Sequence, residues 1–190
     1  MELSVWLYLA LLGAAALGRV VEIFISRRNQ RRLIAAGARR VPEAVFPWMV
    51  LLHAGVFAGA GLEVVFLHRP FLPFLGFSAL AVFAFANVLR WWVIRTMAGH
   101  WNVQVMASTK LGVVTSGPFR WVRHPNYVAV VLELMALPLI HTAWLTALVA
   151  TVANALVLWK RLSVEESVLL ADPAYREAMG SKPRFLPGLF

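Results

Sequence analysis

Arg161 and Glu165 stand four residues apart in the stretch KRLSVEE, so on a helix they share one face and their side chains can meet. A guanidinium and a carboxylate in that relation can bind an anionic oxygen and compensate the charge, or can form a solvated ion pair worth a few tenths of a kcal/mol. Glu166 points about 100° away on the same helix. A second group of candidates lies upstream in residues 99–127, GHWNVQVMASTKLGVVTSGPFRWVRHPNY, which holds Gln104, Arg123, His124 and Tyr127 among glycines and aromatics. Those residues can build a ligand site, or Arg123, His124 and Tyr127 can form a girdle of basic and aromatic groups at headgroup depth.

The elements that must position these groups are apolar. Apolar residues make up 61% of the 190 and mean hydropathy is +0.72, which excludes the balance of a soluble globular domain. A bilayer span needs about 20 mostly apolar residues. Five segments qualify as candidates: 3–25, 46–67, 72–94, 127–139 and 144–159. The last two are short and are separated by His141, Thr142 and Ala143, so they are expected to form a helical hairpin whose arms need not each cross the bilayer. The hairpin would bring residues 99–127 and 160–187 together at one membrane face. The first segment has no basic region before it and is expected to stay in the mature protein.

The net charge of +9 is segregated by loop. Arg27, Arg28, Arg31, Arg32, Arg39 and Arg40 lie between the first two segments; Arg95, Lys110, Arg120 and Arg123 lie in the third connection; Lys160, Arg161, Arg176, Lys182 and Arg184 lie in the tail, while the intervening turns carry only Arg69. This is a positive-inside pattern rather than a nucleic-acid patch, and it predicts an external N-terminus with the long loops and tail in the cytoplasm. Residues 26–44 read as a basic helical extension of the first segment, with Gly37 near its end and Pro42 beyond it, placed among anionic headgroups. His53 and Glu63, ten apart on the second segment, make no obvious pair and read as packing or helix-end residues. With no cysteine there is no disulfide and no thiolate metal site, and no metal is expected. No repeat or linker divides the chain. A single domain over residues 1–190 is expected, with transmembrane helices in 1–98 and the binding and catalytic half in 99–190.

GPFRWVRHPNY at 117–127, an apolar hairpin, RLSVEE at 161–166, Tyr175 and RFLP at 184–187 together resemble the isoprenylcysteine carboxyl methyltransferase family. The resemblance covers about 90 residues. It implies an all-α integral membrane protein with a cytoplasmic site for S-adenosyl-L-methionine. By position it implies cofactor contacts at Gln104, at Leu111, Gly112, Val113 and Val114, at Phe119, and at His124, Pro125, Asn126 and Tyr127, with Glu165 joining from the last helix. Arg161 falls where the family places a substrate-binding arginine, so Arg161 and Glu165 are the expected catalytic pair.

The N-terminal half, with SRRNQRR, Gly37, Ala38 and His53, is similar to a bacterial branch associated with type III polyketide synthases. Leu111, Phe119, Ala129, Ala171, Asp172 and Ala178 depart from the prenylcysteine enzymes' pattern. The resemblance therefore implies O-methylation of an alkylpyrone or alkylresorcinol in a bacterial inner membrane, with prenylcysteine carboxyl esterification as the alternative. The expected partners are a lipophilic small molecule and membrane lipids, with no nucleic acid. RHPNY by itself is also similar to membrane sterol reductases, and a non-enzymatic scaffold is the third reading.

Overall fold

The computed structural model describes residues 2–107 and 112–186. Helix α1 runs Leu3–Ala35, strand β1 Arg39–Arg40, α2 Phe46–Phe66, α3 Pro73–Met97, strand β2 Met106–Ala107, α4 Pro125–Leu139, α5 Trp144–Leu169 and α6 Pro173–Met179. Prolines open α3, α4 and α6, where a missing N–H costs nothing and the fixed φ suits the first turn. The long α1 stops where Gly37 takes φ 93° and the Ala38 amide donates back to the Leu33 carbonyl, a left-handed cap that glycine enters without steric cost.

Four of the helices, α1, α2, α3 and α5, are long and apolar enough to cross a membrane, and α4 is a shorter apolar helix of 15 residues. Large apolar side chains such as Trp6, Phe24, Phe74, Phe85, Leu148 and Trp159 point outward. In water such a surface would aggregate; against lipid it is the natural solvent face, and the chain is an integral membrane protein. The last span was expected to be short, but α5 continues to Leu169 because its polar end is helical too. One feature was not expected in an all-α chain. β1 pairs antiparallel with β2, Arg39 opposite Ala107 and Arg40 opposite Met106.

Small residues set the packing. Ala60, Ala86, Ala129 and Ala143 are fully buried, and a Cβ on Gly76 would lie 2.9 Å from the Ile140 carbonyl, so that glycine lets α3 meet the hairpin turn backbone to backbone. Glu63, near the end of α2, caps α5 from outside: it accepts from the Leu145 amide at 3.1 Å and from the Thr146 amide and hydroxyl at 2.8 Å, and pairs with Arg69 at 2.8 Å. Of packing and helix-end roles, Glu63 takes the second, and the helix end it serves is that of α5 and not of its own α2. Among the described residues His53 stays within its own helix, its Nδ1 donating to the Met49 carbonyl at 2.8 Å.

A closed ring of alternating charge locks α1, α3 and α4. Arg19 contacts Glu22 at 2.9 Å and Glu133 at 3.2 Å; Arg90 contacts Glu22 at 3.4 Å and Glu133 at 2.8 Å. All four are buried or nearly so, and the ring is neutral, which is what makes four charges tolerable at this depth. Three of its members lie in the N-terminal half, so polar chemistry is less confined to the C-terminal half than the sequence suggested.

Candidate active site

Above the ring, α1 carries a polar stripe that holds the loop after α3. The Asn29 amide donates to the carbonyls of Ala98 and Trp101, both at 2.9 Å, and the Ser26 hydroxyl accepts from the Val103 amide at 3.0 Å. Gln30 donates to Gln104 Oε1 at 3.0 Å. The loop then runs through β2, turns at Gly117–Arg120, and enters α4 at Pro125. Gly117 has φ 56°, and a Cβ there would sit 2.4 Å from Thr96 Oγ1, so this turn against α3 needs glycine.

Two concavities lie near this loop. The larger, about 610 Å³, runs along the outer side of α5 past Trp159 and Ser163, and its charged groups are engaged: Arg184 on Glu166, Arg176 on the Leu170 carbonyl. The smaller, about 200 Å³, gathers the candidates. Gly112, Val113, Val114, Phe119, His124, Pro125, Asn126, Tyr127, Arg161 and Glu165 all line it. Gln104 lies outside that lining, held by Gln30, and Leu111 falls outside the described residues. Met97, His100, Trp101, Asn102, Arg123, Leu169 and Tyr175 complete the wall. Met97, His100, Trp101, Asn102 and Leu169 carry no sequence signal of their own; Arg123 and Tyr175 stood in the motifs.

Arg161 and Glu165 share a face as their spacing required, but Tyr127 stands between them. Arg161 Nε donates to the Tyr127 hydroxyl at 2.8 Å, and that hydroxyl donates to Glu165. Arg161 also donates to the Val103 carbonyl at 2.6 Å. Behind it lies a residue that sequence reasoning missed. Glu43, in the connection between β1 and α2, has a fully buried side chain; one oxygen accepts from the Val105 amide at 2.7 Å and the other lies 3.6 Å from Arg161 Nε. Nothing in the local sequence marks it.

Glu166, on the other side of α5, organises the motif from beneath. It contacts His124 Nε2 at 3.2 Å, Arg123 at 3.3 Å and Arg184 at 2.7 Å. The amides of Arg123 and His124 donate to the carbonyls of Pro183 and Arg184, both at 2.9 Å, so the tail straps the start of α4. His124 stacks on Tyr127 at 5.5 Å. These contacts bury His124 and Tyr127, which rules out the headgroup girdle for them. Burial, with Glu165 nearby, pushes the Tyr175 phenol up to about 12, so it faces the cleft as a neutral hydroxyl at physiological pH.

A model of the isoprenylcysteine carboxyl methyltransferase (ICMT) family matches residues 79–171, the span from the second turn of α3 to just past α5 that builds most of this wall. The chain belongs to the ICMT family. ICMT-family proteins are membrane methyltransferases that use S-adenosylmethionine. The uncharacterized protein YpbQ of Bacillus subtilis is 28% identical over 165 residues, covering 86% of this chain and 95% of that protein. An uncharacterized protein of Haemophilus influenzae is 30% identical over 154 residues, covering 80% of this chain and 88% of the other. Among solved structures, the eukaryotic intramembrane Ras methyltransferase ICMT shares the fold, with TM-score 0.56 and 24% identity over 73% of this chain. The match covers 52% of that ICMT, so this chain spans about half its length.

Proposed function

We propose that this protein is an S-adenosyl-L-methionine-dependent O-methyltransferase for a lipophilic acceptor, with the cofactor in the 200 Å³ cleft and the acceptor's oxygen at Arg161. The observation that carries the reading is the convergence of Arg161, Tyr127 and Glu165 on one wall of a cleft built from the family-matched residues. The donor set suits a cofactor with amino, hydroxyl and carboxylate groups. Asn126 Oδ1 and Arg123 Nε, one acceptor and one donor, are buried in the cleft's wall with no partner among the described residues. Buried polar atoms left unpaired cost about 1–3 kcal/mol each, which a bound polar ligand would relieve. Phe119, Val113 and Val114 offer apolar surface beside them.

When bound, the cofactor supplies an electrophilic methyl group on a sulfonium. The chain's part is to align an acceptor oxygen with it and to exclude water. Arg161 donates to an anionic oxygen and favours its ionised form, which serves a carboxylate directly and lowers the pKa of a resorcinol hydroxyl from about 10. Glu165 balances the guanidinium and accepts from the cofactor's amino or hydroxyl groups. Residues 1–190 act as one unit: 99–190 supply most of the lining, while 1–98 supply Met97 and, through Glu43, the support behind Arg161. In this reading the acceptor's tail lies between membrane helices and the cleft faces the cytoplasm from a bacterial inner membrane, an orientation that the loop arginines favour.

The acceptor we favour is an alkylpyrone or alkylresorcinol, on the strength of the N-terminal resemblance and of Phe119 and Ala178. Membership of the ICMT family favours a prenylcysteine carboxylate as the second reading. Both have a long apolar tail, so the head group must discriminate, and a misplaced buried polar group costs more than an added methylene. Equal amounts of an alkylpyrone, an alkylresorcinol and N-acetyl-farnesylcysteine, competing for labelled S-adenosylmethionine in one reaction, give methylated polyketide as the main product by mass spectrometry. A dominant prenylcysteine ester would overturn the acceptor and keep the reaction. Binding of NADPH but not of S-adenosylmethionine in calorimetry would overturn the reaction itself.

Glu43 yields a separate expectation. Glu43→Gln keeps an acceptor for the Val105 amide but turns the carboxylate facing Arg161 into an amide, so the guanidinium loses its buried counter-charge. Acceptor KM is expected to rise about tenfold, from the roughly 1.5 kcal/mol of a charge-assisted contact, with cofactor affinity changing less than twofold. Glu43→Asp should recover part of the loss. Equal weakening of both ligands would make Glu43 a loop support only.

A further inference from the structure

The cytoplasmic end of α1 has two faces with different partners. At 33 residues α1 is about 50 Å long, against a hydrocarbon core of about 30 Å, so its last turns stand in and beyond the headgroups. Arg27, Arg28, Arg31 and Arg32 fall within an arc of about 140° at 100° per residue. All four are exposed, and so are Arg39 and Arg40 on β1. Among the described residues none of the six pairs with a carboxylate. The opposite face, Glu22, Ser26, Asn29 and Leu33, is buried.

That buried face grips the loop that walls the cleft, through Ser26 and Asn29. β1 grips the same loop further on by pairing with Met106 and Ala107, and the Val41 amide donates to the Val105 carbonyl. Every arginine of the patch therefore sits on an element whose other side holds residues 98–107. Six like charges within so short a stretch repel one another, and a layer of phosphates would turn that repulsion into attraction.

We propose that this arginine face binds the headgroups of anionic phospholipids, and that the bound lipid holds loop 98–107 in the conformation that walls the cleft. The occupant is a lipid and not a free polyanion, because the patch begins within two residues of the apolar span that ends at Ile25 and lies at headgroup depth. Attraction of about 1 kcal/mol per arginine corresponds to roughly fivefold in affinity for each. The binding is independent of the methyl-transfer reading; only the loop's consequence for catalysis rests on it.

The test uses the full chain and the quadruple variant Arg27→Gln, Arg28→Gln, Arg31→Gln, Arg32→Gln. Native mass spectrometry from mixed phosphatidylglycerol and phosphatidylcholine should show phosphatidylglycerol retained at least tenfold over phosphatidylcholine by the parent and lost in the variant. Hydrogen exchange at residues 101–107 should slow at least tenfold in nanodiscs containing phosphatidylglycerol relative to phosphatidylcholine alone, and only for the parent. Equal retention of the two lipids, or an unchanged preference in the variant, overturns the binding. Selective retention without a change in exchange overturns the loop coupling. A short DNA duplex that displaces phosphatidylglycerol at equal phosphate concentration overturns the choice of lipid as occupant.

Discussion

Replacing Arg161 with alanine is expected to lower methylation by about a hundred- to a thousandfold, the usual cost of removing a donor aimed at a reacting oxygen. Affinity for S-adenosylmethionine should stay within a few-fold. Glu165→Gln should do the reverse, weakening the cofactor about tenfold or more with a smaller effect on the acceptor. The structure makes the contrast sharper than helix spacing could, because Tyr127 separates the two groups and Arg161 is anchored from the side of Glu43. Arg161 also donates to the Val103 carbonyl, in the loop that carries Trp101 and Asn102. Cofactor affinity by calorimetry is therefore the decisive control. Were both variants to lose both ligands equally while remaining folded, the pair would be a structural ion pair and the proposed division of labour would fail.

Arg90→Leu should be the most destabilising single change in the membrane interior. Arg90 is buried and holds both Glu22 and Glu133, so its loss leaves two buried carboxylates facing one remaining guanidinium. Breaking a buried ion pair by removing one partner costs about 3–5 kcal/mol, a large part of a domain's stability. The variant should melt at least about 10 °C lower in detergent, or fail to accumulate. Removing Glu133 as well restores neutrality around Arg19 and Glu22, so Arg90→Leu with Glu133→Leu should be more stable than Arg90→Leu alone. If the double variant melts no higher than the single one, packing and not charge balance explains the loss. If Arg90→Leu melts like the parent, the ring has no structural weight.

How much of this was legible in the sequence differs element by element. The spans of α1, α2 and α3 followed from apolar runs of sufficient length, and the end of α1 from Gly37, because both depend on local chemistry. The same locality made Arg161 and Glu165 a shared face. That Gly112, Phe119, His124, Tyr127 and Glu165 meet at one face followed from the apolar hairpin between the two groups, but which of these side chains line one cleft was reachable only through the ordered motifs.

The sequence by itself determined the solvent, the helices and the face each helical pair shares, because hydropathy and the 3.6-residue turn act over neighbours. The tertiary structure decided the partners. Glu63 serves a helix 82 residues away, Glu43 backs Arg161, Glu166 joins His124 to Arg184, and Arg19, Glu22, Arg90 and Glu133 close on one another. None of these can be read from spacing, because a contact between helices depends on each helix's rotation and depth. Those are set by close packing at small residues such as Ala86, Ala129 and Gly76, and by the need of every charge in lipid to find its opposite.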